Sequence, residues 1–284
     1  MRDLSARLKD CAVNTATLGF QATIEEVIDA VARAGFGGIA PWRREVEGKD
    51  IGAIARQIRA AGLGVPGYCR STYIPAADKA AFEQNIEANR RAITDAAELG
   101  ARSFVMVVGG LPAGSKDIAG ARAQVAEGTA LLLDHGKAHG VRIALEPLHP
   151  VYAADRSCLS LLSEALAMCE AIEGTVNEPW LGVCIDVYHV WWDPGLRQAI
   201  ARAGAARRIL GFHVCDWLVP TEDVLNDRGM MGDGVIDVPK IRRDVEAAGY
   251  EGFVEVEIFS AGNWWKRPIA ETLSVCRERF ATAT

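Results

Sequence analysis

No stretch of this chain approaches the roughly 20 consecutive apolar residues that a membrane-spanning helix needs, and Met1-Arg2-Asp3-Leu4 leads into no signal-peptide core. Basic clustering is missing too. Lys and Arg number 31 against 37 Asp and Glu, a formal charge of −6, and no run of them would neutralise a line of phosphates. Neither a membrane nor a nucleic acid is therefore expected as a partner, and a cytoplasmic location is. The seven cysteines are odd in number and form no CxxC pair, so in a chain of 284 residues they read as reduced, mostly buried small hydrophobes. There is no linker, low-complexity segment or long charge run to mark a domain boundary.

What the chain does have is a repeated signature. An amphipathic helix ends at a glycine, where the backbone turns through positive φ, and an apolar strand begins a few residues later: Ala34-Gly35, Ala61-Gly62, Leu99-Gly100, His139-Gly140 and Ala248-Gly249 all fit. The pattern predicts strands near 10–15, 36–40, 64–69, 102–108, 141–146, 181–186, 209–214 and 253–258. Helices are predicted near 23–34, 50–61, 76–99, 117–139, 157–172, 195–206, 239–248 and 268–281. Eight βα units in one α/β chain of this length point to a (β/α)8 TIM barrel, a single domain over residues 1–284. A doubly wound sheet is the alternative, but it calls for a glycine-rich phosphate loop after the first strand. Asn14-Thr15-Ala16-Thr17-Leu18-Gly19 is no such loop.

Four consecutive strands end on metal-compatible side chains. Arg142–Leu145 runs into Glu146, Leu181–Ile185 into Asp186, Ile209–Phe212 into His213, and Phe253–Val256 into Glu257. In a barrel such strand ends converge at the mouth. Carboxylates with one imidazole suit Mn²⁺, Mg²⁺, Co²⁺ or Zn²⁺, and a divalent ion explains how like charges tolerate one another there. Glu255 and Glu257 share a strand face, and Glu257 is chosen because it lies nearer the carboxyl end.

Further candidates sit in the loops after the strands. His189 follows Asp186 and would bind a substrate hydroxyl, hold a ligand or cap the next helix. His149, held between Pro147 and Pro150, is a candidate general base or a loop-packing residue. Arg228, in a Gly-punctuated loop, would bind a substrate oxygen or pair with Asp227 or Asp233. Trp42 and Arg43 follow the second strand, as Arg70 between Tyr68 and Tyr73 follows the third, and aromatic faces with polar neighbours suit sugar-sized ligands. Trp191-Trp192 and Trp264-Trp265 serve packing, substrate or a subunit contact, so a homo-oligomer or a partner subunit is a further expectation.

Leu145-Glu146-Pro147, Ile185-Asp186-Val187-Tyr188-His189, Phe212-His213-Val214-Cys215-Asp216, Asp227-Arg228-Gly229 with Gly232-Asp233-Gly234, and Gly249-Tyr250-Glu251-Gly252 leading to Glu257 together resemble the xylose-isomerase-like barrel superfamily. That superfamily, often labelled sugar phosphate isomerases/epimerases, includes ketose 3-epimerases, inosose dehydratases and apurinic endonucleases. The resemblance implies one divalent ion, most commonly Mn²⁺, on Glu146, Asp186, His213 and Glu257. It also implies proton exchange by Glu146 and Glu257, and contacts to the oxygens of a sugar or keto-sugar from His189 and Arg228. The endonuclease members carry extra histidines after strands two to four; the loops at 66–76 and 109–117 have none, and Gly229 stands where another would be expected. The expected activity is thus a metal-dependent sugar isomerase or epimerase. The alternative is a lyase or dehydratase, alone or as a subunit of a complex, expelling a leaving group from the same enolate with His149 as base.

Overall fold

Eight parallel strands form the core of the computed structural model, which describes residues 2–284. They are β1 (Cys11–Asn14), β2 (Gly38–Ala40), β3 (Tyr68–Cys69), β4 (Ser103–Met106), β5 (Arg142–Leu145), β6 (Leu181–Asp186), β7 (Ile209–Val214) and β10 (Val254–Val256). The hydrogen-bonded order is β2-β1-β10-β7-β6-β5-β4-β3, and single bridges Gly38–Gly64 and Trp42–Cys69 bring β3 back to β2. The sheet closes into a (β/α)8 barrel. Two short strands, β8 (Asp216–Trp217) and β9 (Arg228–Gly229), pair antiparallel above it.

Local chemistry explains each unit. The helix Ile24–Arg33 opens with a capping box, in which Thr23 accepts from the Glu26 N–H and Glu26 reaches back to the Thr23 N–H. Lys79–Leu99 and Ile118–His139 each end on a left-handed glycine, Gly100 and Gly140, as the sequence pattern requires. Their apolar faces pack on the outer surface of the strands, where Phe104, Ile143, Leu145, Ile185 and Phe212 are buried. A second, smaller layer of Cys69, Val105, Ala144 and Cys184 fills the inside of the barrel. It forms the floor on which the mouth residues stand.

Strand ends are trimmed by a residue or more except in β6 and β7, and two elements depart furthest from their sequence expectation. β3 is cut to two residues because Pro66 offers no N–H to the ladder, so residues 64 and 65 make only isolated bridges. The fifth outer helix begins at Leu162 rather than near 157. Residues 157–159 instead run alongside the neighbouring strand-end loops, with the Cys158 N–H bonded to Gly109 O at 2.9 Å and the Leu148 N–H to Leu159 O at 3.0 Å. No helix of the described residues is long and apolar enough to cross a membrane.

Candidate active site

The backbone ladder carries two of the key carboxylates to the barrel mouth. The Glu146 N–H bonds Met106 O at 3.0 Å and the Glu257 N–H bonds Val214 O at 3.1 Å, so each side chain is fixed by the strand that precedes it. Asp186 ends β6 and caps the short helix Val187–Val190, with Oδ1 accepting the Tyr188 N–H at 2.9 Å, which leaves Oδ2 for the mouth. His213 lies in register with Asp186 on the adjacent strand. The ligand-type atoms of Glu146, Asp186, His213 and Glu257 all lie within 4.8 Å of one another, and all four residues are buried.

The orientation of these atoms tests whether a cation fits. His213 Nδ1 is 3.1 Å from Glu146 Oε1, yet neither atom makes a hydrogen bond of acceptable geometry. Behind the ring, Nε2 meets Glu255 Oε1 at 3.4 Å and Cys184 Sγ at 3.4 Å. With a cation bound, that carboxylate would favour the proton on Nε2 and leave Nδ1 as the ligating lone pair. Glu255 thus lies one pleat deeper than Glu257, and Asn14 Nδ2 donates to both, at 2.8 and 3.0 Å. Burial pushes the Cys69 and Cys184 thiols far up, so neither offers a thiolate near neutrality. The available donors are oxygens and one imidazole, a set that suits a divalent cation.

The protein places its own cation beside this cluster. Arg228 Nη1 lies 2.9 Å from Asp186 Oδ2 and 3.3 Å from Glu257 Oε2, while Nη2 meets His189 Nε2 at 3.2 Å. The guanidinium is held between the Tyr188 and Phe259 rings, 4.4 and 4.8 Å from their centroids. Its backbone is the β8–β9 ladder, and the Asp216 carboxylate pins the following loop by accepting from the N–H groups of Gly232, Gly234 and Ile236. A Cβ at Gly229 would come within 2.7 Å of Leu218 Cδ2, so a side chain there would have to displace that leucine tip.

Burial dominates the electrostatics. It pushes Glu257 up to about 8 and raises Asp186, against the pull of His213 on the first and Arg228 on the second. Burial opposes charge on His213, but Cys184, Glu255 and Glu146 hold its pKa well above the usual value. His189 is driven well below its usual value by burial and then by Arg228, so it is neutral near pH 7.

The remaining sequence candidates separate. Trp42 lines the inner cavity with Glu146, His189, Arg228 and Glu257. Arg43 lies only on the rim of a wider outer cavity, bonded to Thr72 Oγ1 at 2.9 Å and paired with Glu47 at 2.7 Å. His149 lines neither cavity. Its Nδ1 accepts the Val151 N–H and its ring packs 4.9 Å from Trp217, while its backbone N–H bonds His189 Nδ1 at 3.3 Å. Sequence context alone does not single out Asn14, Arg156 or Phe259. Asn14 ends β1 just as the acids end their strands, so extending the strand-end argument to all eight strands finds it. Arg156 reaches the site only through the path of its loop.

A closed (β/α)8 barrel with buried carboxylates and an imidazole at its mouth defines a class of proteins, the metal-competent TIM barrels. Within it, the chain belongs to the xylose isomerase-like TIM barrel family, whose family model matches residues 28–279. Protein SMc04130 from Sinorhizobium meliloti 1021 is similar at 51% identity, over 98% of this chain and 99% of that one, with a TM-score of 0.93. Two solved structures share the fold at low identity. IolI protein, solved with a binding zinc atom, matches at 15% identity over 96% and 98% of the two chains, with a TM-score of 0.80. D-psicose 3-epimerase, solved in the presence of D-fructose, matches at 16% over 96% and 99%, with a TM-score of 0.75. No curated protein matches the chain.

Proposed function

We propose that the protein is a divalent-metal-dependent isomerase or epimerase of a sugar or keto-sugar. The observation that carries this reading is the convergence of Glu146, Asp186, His213 and Glu257 within 4.8 Å, with Glu146 Oε1 and His213 Nδ1 buried and unsatisfied. These four residues would hold the ion, with Mn²⁺ the first expectation and Mg²⁺, Co²⁺ or Zn²⁺ the alternatives. When bound, the ion supplies Lewis-acid polarisation of a substrate carbonyl, worth several kcal/mol at the barrier.

The protein's own groups move the proton. Glu146 and Glu257 reach the mouth from β5 and β10, strands separated in the barrel by β6 and β7, which supports an approach to the substrate from two sides. One takes the proton from the carbon beside the carbonyl and the other returns it on the opposite face. Neutral His189 and Arg228 bind the neighbouring oxygens, and the Tyr188 and Phe259 rings keep water from the guanidinium. His149 lies outside the cavity, so the geometry lends no support to an elimination that uses it as base.

The test is proton exchange. Protein stripped with a chelator and reloaded with Mn²⁺ is incubated with candidate ketoses in D₂O and followed by NMR. An isomeric sugar carrying solvent deuterium beside the carbonyl is expected, with the rate falling by about 100-fold or more in Glu146→Gln and Glu257→Gln. An isomer formed without deuterium, or full activity in Glu257→Gln, overturns the reading.

A further inference from the structure

The inner cavity at the cluster is small, about 20 Å³, and opens into an outer cavity of about 750 Å³. Five residues line both and so form the neck between them: Trp42, Arg70, Arg156, Leu225 and Phe259. Their side-chain polar groups are all donors, two guanidiniums and one indole N–H, with no acceptor among them. Sugar hydroxyls donate as well as accept, so a neck built for a neutral polyol would offer both kinds of partner. This one offers a single kind.

Neither guanidinium forms an ion pair among the described residues, and Arg70 Nη1 has only a long hydrogen bond to Ser71 O at 3.4 Å. Among the described residues, the deeply buried arginines Arg208, Arg228 and Arg242 each meet a carboxylate within 3.3 Å. Arg70 and Arg156 meet none, although both are half-buried. Arg70 lies over the Tyr73 ring at 4.7 Å and Arg156 over the Tyr152 ring at 5.6 Å. Burial lowers the pKa of Arg70 and the charge of Arg156 adds to the effect, so the two like charges are close enough to repel. The Trp42 Nε1 hydrogen is buried without an acceptor. In a chain of net charge −6, two neighbouring cations that form no ion pair among the described residues mark a place for an anion that the chain does not itself supply.

We propose that the substrate carries an oxyanion, a carboxylate or a phosphate, gripped at this neck by Arg70, Arg156 and the Trp42 indole N–H while its carbonyl end enters the inner cavity. The assignment of the carbonyl end rests on the proposed function; the oxyanion site does not.

Two measurements keep these apart. Calorimetry of malonate and of inorganic phosphate binding compares the unaltered protein with Arg70→Met, Arg156→Met, their lysine counterparts, and Arg142→Met at the opposite end of the barrel. Removing either neck guanidinium should weaken anion binding by about 10-fold or more, lysine should restore part of the loss, and Arg142→Met should change nothing. Equal losses in Arg142→Met, or no anion binding at all, overturn the proposal. Exchange in D₂O is then compared for a neutral ketohexose, a keto-sugar acid and a ketose phosphate. An acidic substrate should exceed the neutral one in kcat/KM by about 10-fold or more and lose that advantage in Arg70→Met and Arg156→Met. Which acid wins identifies carboxylate or phosphate. Turnover of the neutral ketose with no preference for either acid overturns the oxyanion and leaves the isomerase reading intact. Anion binding lost in the neck variants, with no proton exchange from any compound, upholds the site and overturns the isomerase.

Discussion

Loading the mouth cluster with a divalent ion should expel protons in a number set by burial. Glu257, pushed up to about 8, is about nine-tenths protonated at pH 7, and His213, held well above its usual value, also keeps its second proton. An ion requires the carboxylate and the free imidazole lone pair. Binding at pH 7 should therefore release close to two protons per ion, falling toward about one as the pH rises past 8 and Glu257 ionises on its own. Titration calorimetry of Mn²⁺ into chelator-treated protein, repeated in buffers of different ionisation enthalpy, counts them directly. The same groups govern the stability of the chelator-treated protein. Each holds a proton in the folded chain that the unfolded chain, with Glu near 4.3 and His near 6.5, has released wholly or for the most part by pH 7. Stability should thus fall between pH 7 and 8 by up to about 1.4 kcal/mol per retained proton, and the Tm gained on adding Mn²⁺ should grow over the same window. His189, depressed below 6.5, acts in the opposite direction only at lower pH, outside that window. Release of less than about half a proton at pH 7 would refute the reasoning, because it would mean that the acids are already ionised before the ion arrives.

Other expectations are simpler to measure. Asp216→Ala removes the acceptor of three loop N–H groups and should cost about 2–4 kcal/mol in chemical denaturation while raising KM, since the β8–β9 ladder carries Arg228. An unchanged midpoint would show that the loop is held by something else. His149→Ala should keep kcat within about threefold in the D₂O assay, whereas a loss near 100-fold would make that ring the base. The Tyr152 and Tyr188 hydroxyls both donate to Val224 O at 2.7 Å, so either Tyr→Phe change alone should cost about 0.5–1.5 kcal/mol. The double change should cost more than the sum of the two in a thermal scan, because only then is the carbonyl left unpaired.

The barrel was legible because each unit writes its own boundaries: a helix cap, a glycine turn, an apolar run and then a carboxylate. Strand-end positions were legible for the same reason, and they locate Glu146, Asp186, His213 and Glu257 in the chain. What escaped depends on contacts between distant residues. Pro66 shortens β3 by removing one donor, yet the single bridges on either side still close the barrel. Residues 157–159 carry helix-compatible side chains, but pairing with Gly109 and Leu148 claims their backbone first. His149 looked poised for chemistry between its prolines. Pro150 starts a 3₁₀ turn that His149 caps, and its ring packs beside Trp217 rather than in the cavity. Arg70 and Arg156 lie 86 positions apart, and only the closed mouth makes them neighbours.

The guanidinium of Arg228, resting between Asp186 and Glu257, gives the mouth a positive charge of its own. Its acids are already partly neutralised when folding ends, so the barrel need not wait for a metal to become stable. An ion held by the four residues would share Asp186 and Glu257 with that side chain, so its charge would be felt against a cation already in place. A monovalent ion would add less to that balance than a divalent one.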